Sequence, residues 1–179
     1  LSALGDFVQA MGPCAAIRRA HSAAHITLLT TSPYIEFARS SGYFDKIWID
    51  QRPRWWQVRT WLTLKQRLDG GGFDRVYDLQ TSDRSAFYFR LLRRPKPDWS
   101  GIAAGCSLPH ANPQREVMHT IDRQREQLAI AGIDGVPLPT FDWICNDTDA
   151  FGLPETFILF VPGGSAGRPG KRWPINGYV

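Results

Sequence analysis

A chain of 179 residues, 43% hydrophobic and 21% charged, is long enough for one real core and too apolar to be a disordered segment. Its apolar run near the end, Phe157 to Val161, falls far short of the roughly 20 residues that cross a bilayer, and three scattered cysteines encode neither a disulfide framework nor a zinc knuckle, so a reducing, cytoplasmic setting fits. The net charge of +4 is broken into small basic groups such as Arg52 with Arg54 and Arg168 with Lys171 and Arg172; without a continuous basic stripe this argues against nucleic acid and suits a phosphorylated or anionic substrate near a membrane surface.

Helical spacing begins after Gly5, with Val8, Met11 and Ala15 on one face, and Pro13 is expected to restart or kink that helix. His25 to Thr30 reads as a strand, and Ser32-Pro33 starts a helix through Phe37 to Ser40. Lys46 to Ile49 is a second strand. Trp55, Val58 and Leu62 then fall at helical spacing in a run that Gly70-Gly71-Gly72 closes. Arg75 to Leu79 is a third strand, and Thr81-Ser82-Asp83 caps a helix through Phe87 and Leu91. Trp99 to Ala103 reads as a short fourth strand, Gly105 to Pro113 as a loop, and Met118, Ile121, Leu128 and Ala131 as one amphipathic helix stopped by Gly132. Pro137 to Pro154 has linker composition, Thr156 to Val161 reads as a buried-type strand, and a further helix starts at Pro174.

Strands alternating with helices imply an α/β fold: a Rossmann-like parallel sheet with helices on both faces. The helix after Gly5 needs a strand to pack on, so one is expected upstream of Leu1, and the chain reads as a fragment. The expected division is residues 1–136 as a first Rossmann-like domain, 137–154 as linker, and 155–179 as the opening of a second domain.

In such sheets ligands bind beyond the carboxyl ends of the strands. Three polar segments fall there: Ser2 to Asp6, Gln80 to Arg84, and Gly163 to Arg172. Asp6 at a helix start either caps free amides or serves as an ionised carboxylate able to accept a proton, and Gly5 beside it permits close approach of a substrate. Thr81, Ser82, Asp83 and Arg84 offer hydroxyls, a carboxylate and a guanidinium for a polyhydroxylated or acidic ligand, or equally a plain helix cap. Gly163, Gly164 and Ser165 followed by Lys171 have the makings of a phosphate-cradling turn but match neither a Walker nor a dinucleotide signature. His110 and His119 have no partners at metal-ligand spacing and read as surface or capping residues. The tryptophans read as core and helix-packing residues rather than as a sugar platform.

The segments Leu1-Ser-Ala-Leu-Gly-Asp6, Asp78-Leu-Gln-Thr-Ser-Asp-Arg84 and Val161-Pro-Gly-Gly-Ser165 with Lys171-Arg-Trp-Pro174 resemble, in order and spacing across nearly the whole chain, the family-nine glycosyltransferases, the lipopolysaccharide heptosyltransferase type. The resemblance implies a GT-B fold, of which this chain would hold the acceptor-side domain and the first strand of the nucleotide-sugar domain. It implies Asp6 as catalytic base, Ser2, Gly5, Thr81, Ser82, Asp83 and Arg84 around the acceptor, and Gly163, Gly164, Ser165 and Lys171 around the donor diphosphate. Relatives carry paired threonines nearer that lysine, so Ser165 departs from the pattern. The implied reaction is inverting transfer of a heptose, from ADP-heptose, to a lipopolysaccharide-precursor acceptor, without metal or cofactor, in the cytoplasm with peripheral contact to the inner membrane. A Rossmann-like module that binds an anionic sugar or nucleotide without transforming it, or a transferase with another donor sugar, would share these features.

Overall fold

A computed structural model describes residues 4–144, 149–160, 170 and 172–177. The chain separates into two compact units, residues 1–144 and 145–179. The first unit alternates helix and strand: α1 (Leu4–Ala20), β1 (Thr27–Thr30), α2 (Ile35–Ser40), β2 (Lys46–Ile49), α3 (Val58–Gly70), β3 (Arg75–Tyr77), α4 (Asp83–Leu91), β4 (Asp98–Gly101), β5 (Leu108–Pro109) and α5 (Thr120–Ile130). All pairings are parallel. β1 pairs with β2, and β3, β4 and β5 form a second sheet in that order.

Helices cover both faces, as the alternation of side chains along each strand requires. Ile26 and Leu28 at β1, and Tyr77 and Leu79 at β3, pack on the side of α1 and α5, against Phe7, Met11, Ile17 and Leu128. Leu29 and Val76, one step along, turn to the opposite side and meet Leu64 of α3, Tyr88, Phe89 and Leu92 around α4, and Trp99 of β4. The architecture is therefore a Rossmann-like α/β layer.

Several details depart from the sequence expectations. α1 runs unbroken through Pro13, because Pro13 and its neighbour Gly12 are both buried and tertiary packing holds the axis across the missing N–H. A Cβ on Gly12 would lie 2.2 Å from the carbonyl oxygen of Pro137, so backbone meets backbone there and only glycine fits. Residues 137–144, expected as linker, lie against the first unit, where Phe141 and Trp143 pack edge to face around Phe37. The short strand β5 falls in the expected Gly105–Pro113 loop.

In α3 the buried stripe is Trp61, Leu64 and Leu68, whereas Val58 and Leu62 face solvent with Trp55 and Trp56 just ahead of them. Trp55, Trp56 and Trp173 are exposed, which corrects their reading as core and helix-packing residues. Within the second unit, the described residues hold short 3-10 turns at Asp149–Phe151 and Ile175–Gly177. Residues 156–160 carry no strand, a correction to the expected opening strand of a second domain. A strand forms only where a neighbour takes up its backbone hydrogen bonds, and none does so among the described residues.

Between β1 and β3 lies a cavity of about 780 Å³. Phe7, Ala10, Met11, Cys14 and Ile17 of α1 form one wall, and Tyr88, Leu92 and Trp99 stand among the residues opposite.

Candidate functional site

One polar end of that cavity is built by the carboxyl ends of the strands, while His25, Asp74, Arg75 and Asp98 line it at their amino ends. Thr31 follows β1, Asp50 and Arg52 follow β2, and Gln80, Ser82 and Arg84 follow β3, and all of them line it.

Asp50 is the hub of this edge. Its Oδ1 accepts the Arg52 backbone N–H at 2.8 Å, and its Oδ2 accepts the Tyr88 hydroxyl at 2.7 Å across 38 residues of sequence. Burial pushes the Tyr88 phenol well above its usual range; the hydrogen bond to Asp50 pushes the same way and nearby Arg84 opposes it. Arg52 sits at φ +46°, a left-handed conformation that costs a non-glycine residue about 1–3 kcal/mol and persists only where its surroundings fix it. The Asp50 carboxylate supplies part of that fixing. The Arg84 guanidinium donates to the Pro53 carbonyl at 3.2 Å and lies 5.9 Å from the Trp61 ring centre, so two arginines are placed at one strand edge.

The Gln80–Arg84 turn is equally constrained. Thr81 has φ +44°, and its N–H donates to Asp78 Oδ1 at 2.9 Å. Ser82 caps α4 in a reciprocal capping box with Ser85, which leaves Asp83 exposed in the first turn and Arg84 half-buried. Asp78 itself is buried, and its Oδ2 accepts no hydrogen bond among the described residues. Burial therefore raises its carboxyl above the ordinary range, against the lowering effect of the Thr81 N–H. The Asp78 carbonyl accepts from Gln127 Nε2 at 3.1 Å, and the same amide reaches Ser100 O at 3.2 Å, tying α5 to β3 and β4 behind the turn.

Asp6 lies half-buried in the first turn of α1, one residue before Phe7, whose ring lines the cavity and stacks on Tyr34 at 4.7 Å. A Cβ on Gly5 would meet nothing within 4 Å, so the helix start is open on that side. Thus Ser82 and Arg84 share the cavity edge with Phe7, and Thr81 and Asp83 flank them in the same turn. Ser2, Gly163, Gly164, Ser165 and Lys171 lie outside the described residues.

Asp50, Arg52 and Tyr88 were not singled out from sequence as site residues. The signal present was the paired arginines at Arg52 and Arg54 directly after a strand. His119 caps α5, with Nδ1 accepting the Ile121 N–H at 3.3 Å. His110, expected at the surface or at a cap, is buried instead, 3.3 Å from Glu126, and burial holds its imidazole below the usual range. Among the described residues no group of three or more His, Cys, Asp or Glu side chains could hold a metal ion.

The family model of glycosyltransferase family 9 (heptosyltransferase) matches residues 61–179. No curated protein and no solved structure matches the chain. The matched span takes in Thr81–Arg84, Gly163–Ser165 and Lys171, and it begins after Ser2, Gly5 and Asp6.

Proposed function

Because this chain belongs to glycosyltransferase family 9, the heptosyltransferase family, we propose that it carries the acceptor-binding part of an inverting enzyme that moves a heptose from ADP-heptose to a lipopolysaccharide inner-core acceptor. Residues 1–136, with 137–144 packed against them, serve as the acceptor-side domain, 145–154 as linker, and 155–179 as the start of the donor domain. The observation that carries this reading is the constrained polar edge at the carboxyl ends of β2 and β3. There Arg52 and Arg84 stand beside Asp50, Ser82 and Tyr88, with strained backbone at Arg52 and Thr81. Two guanidiniums suit a carboxylate or phosphate on the acceptor, and the hydroxyls of Thr81 and Ser82 suit a sugar.

In the reaction, the Asp6 carboxylate takes the proton of the acceptor hydroxyl as its oxygen attacks the anomeric carbon. The bond from that carbon to the donor diphosphate breaks on the opposite face, and the nucleoside diphosphate leaves. Positioned proton transfer of this kind is worth about 10²- to 10⁴-fold. Lys171 and the backbone around Gly163, Gly164 and Ser165 offset the charge on the departing diphosphate. Ser2 and Gly5 flank the acceptor beside Asp6. No metal or cofactor is needed for this scheme.

No helix among the described residues is long and apolar enough to cross a membrane. The exposed Trp55 and Trp56, next to Arg52, Arg54 and Arg59, support peripheral contact of a cytoplasmic enzyme with the inner membrane, where the lipid-linked acceptor resides.

The test is kinetic and uses the complete enzyme. Asp6→Asn keeps donor affinity and loses transfer, whereas Lys171→Ala chiefly weakens donor binding; the 179-residue chain alone is inactive. Near-normal turnover in Asp6→Asn removes the base assignment.

A further inference from the structure

Arg115 is buried with one edge of its guanidinium idle. It follows β5 in a surface turn whose neighbours Gln114, Glu116 and Val117 are exposed, yet its own side chain is only 10% exposed. Nη1 pairs with the Glu116 carboxylate at 2.5 Å, while Nε and Nη2 have no hydrogen-bond partner among the described residues and are out of reach of solvent. Those two nitrogens form the edge that holds both oxygens of a carboxylate or phosphate side by side. A buried polar group without a partner is uncommon in a folded protein, and a charged one is the costliest kind.

The surroundings suit an anion. His110, at the carboxyl end of β5, continues the ladder by donating its N–H to the Gly101 carbonyl at 2.8 Å. Burial holds its imidazole below the usual range, the nearby Arg115 and Arg123 charges push the same way, and Glu126 opposes them. The Glu126 carboxylate is already engaged, accepting from Asn112 Nδ2 at 2.8 and 3.0 Å and lying 3.3 Å from His110 Nε2. Since β3, β4 and β5 are parallel neighbours, this turn lies at the same end of the sheet as Gln80 to Arg84, two strand spacings or about 10 Å across. A water molecule offers one oxygen to the two parallel donors and an apolar ligand offers none, whereas an oxyanion offers two. We propose that Arg115 is a second anion subsite for the acceptor, its Nε and Nη2 taking a carboxylate or phosphate group about 10 Å from the one assigned to Arg52 and Arg84. The anion enters as the exposed Glu116 side chain swings away. The turn survives that movement because its own hydrogen bonds are local, from the Gln114 N–H to Asn112 Oδ1 and from the Val117 and Met118 N–H groups to the Gln114 carbonyl. The acceptor reading supplies the identity of the ligand, and the anion site itself does not depend on Asp6.

Nuclear magnetic resonance of the arginine Nε–H groups decides it. The 179-residue chain, carrying isotope-labelled arginine, is titrated at constant ionic strength with inorganic phosphate, with acetate and, as a neutral control, with glycerol. The Arg115 signal, assigned by its loss in Arg115→Lys, moves saturably with phosphate or acetate and stays still with glycerol; the anion that binds more tightly identifies the acidic group. Glu116→Gln, at a side chain 81% exposed, leaves the fold intact and tightens that anion about two- to fivefold by removing the internal competitor. In the complete enzyme Arg115→Lys, which keeps the charge and lacks the fork, raises acceptor KM about tenfold or more with donor KM unchanged. An Arg115 signal that ignores both anions, or an affinity that Glu116→Gln leaves the same, overturns the site. Anion binding together with an unchanged acceptor KM in Arg115→Lys overturns its assignment to the acceptor, and neither result bears on the base.

Discussion

Removing the Tyr88 hydroxyl tests whether the strand edge is one coupled unit. In Tyr88→Phe the ring keeps its place in the core beside Leu64, Phe89 and Trp99, while the 2.7 Å hydrogen bond to Asp50 is lost. A hydrogen bond to a charged group is worth about 1.5–3 kcal/mol when well shielded, and Asp50 is partly exposed, so the lower part of that range, about 1.5–2 kcal/mol, is expected. The same carboxylate holds the Arg52 N–H, so freeing one oxygen also loosens the strained Arg52 backbone. Urea unfolding of Tyr88→Phe, Asp50→Asn and the double variant then gives a coupling energy of about 1 kcal/mol or more. In the complete enzyme the same substitution raises acceptor KM more than donor KM. Additive losses, with acceptor KM unchanged, would refute both the coupling and the role of this edge in acceptor binding.

The Asp78 carboxyl is raised in the folded state, so folding favours its protonated form; that contribution is present at acid pH and is lost as pH rises from the ordinary carboxylate range through the folded value. Asp78→Asn therefore gains stability relative to the wild-type chain as pH rises above the ordinary carboxylate range, read from unfolding midpoints, and a difference that stays constant with pH would remove the assignment. Leu128 is fully buried between α1 and the chain after α5, so Leu128→Ala costs about 2–5 kcal/mol in urea unfolding. Trp55 and Trp56 are 83% and 52% exposed beside three arginines, so replacing both with Ala abolishes sedimentation with phosphatidylglycerol vesicles while leaving unfolding within about 0.5 kcal/mol of the parent chain; undiminished sedimentation would reject the membrane contact.

Most elements of the first unit were legible because each has its own period and punctuation. β2 is found where an apolar run is bounded by turn residues, and α4 starts where Ser82 offers a cap. What stayed hidden depends on partners distant in sequence. Nothing near Asp50 announces Tyr88, since their contact exists only after β2 and α4 are packed together. Periodicity located α3 but not its inner face: Val58 with Leu62 and Leu64 with Leu68 have the same four-residue spacing, and only α4 decides which pair is covered. At residues 157–160 the apolar run Phe-Ile-Leu-Phe suggested a buried strand, yet burial and pairing are properties of a sheet, and the run is exposed. The turn at Thr81–Arg84 was visible as a cap, whereas its left-handed Thr81 follows from the Asp78 carboxylate below it.

The family match begins at Trp61, so the position of Asp6 depends on how firmly α1 is held. Among the contacts that fix the helix, Phe7 stacks on Tyr34, Arg18 pairs with Asp45 at 2.5 Å, and Gly12 touches the backbone at Pro137. The contact at Gly12 has little tolerance, because the atom that a Cβ would strike is a carbonyl oxygen at 2.2 Å and not the end of a flexible side chain. Gly12→Ala must push α1 and the 137–139 segment apart, an overpacking that costs about 1–3 kcal/mol. Since Asp6 lies fewer than two turns ahead of Gly12 on the same rigid helix, the displacement is carried to the carboxylate. A shift of about 1 Å at a reacting group can cost about 10²-fold in rate. In the complete enzyme Gly12→Ala therefore lowers kcat with donor affinity unchanged, whereas a loss confined to stability, with kcat at the parent value, would mean that the placement of α1 does not govern the chemistry and that the base lies elsewhere.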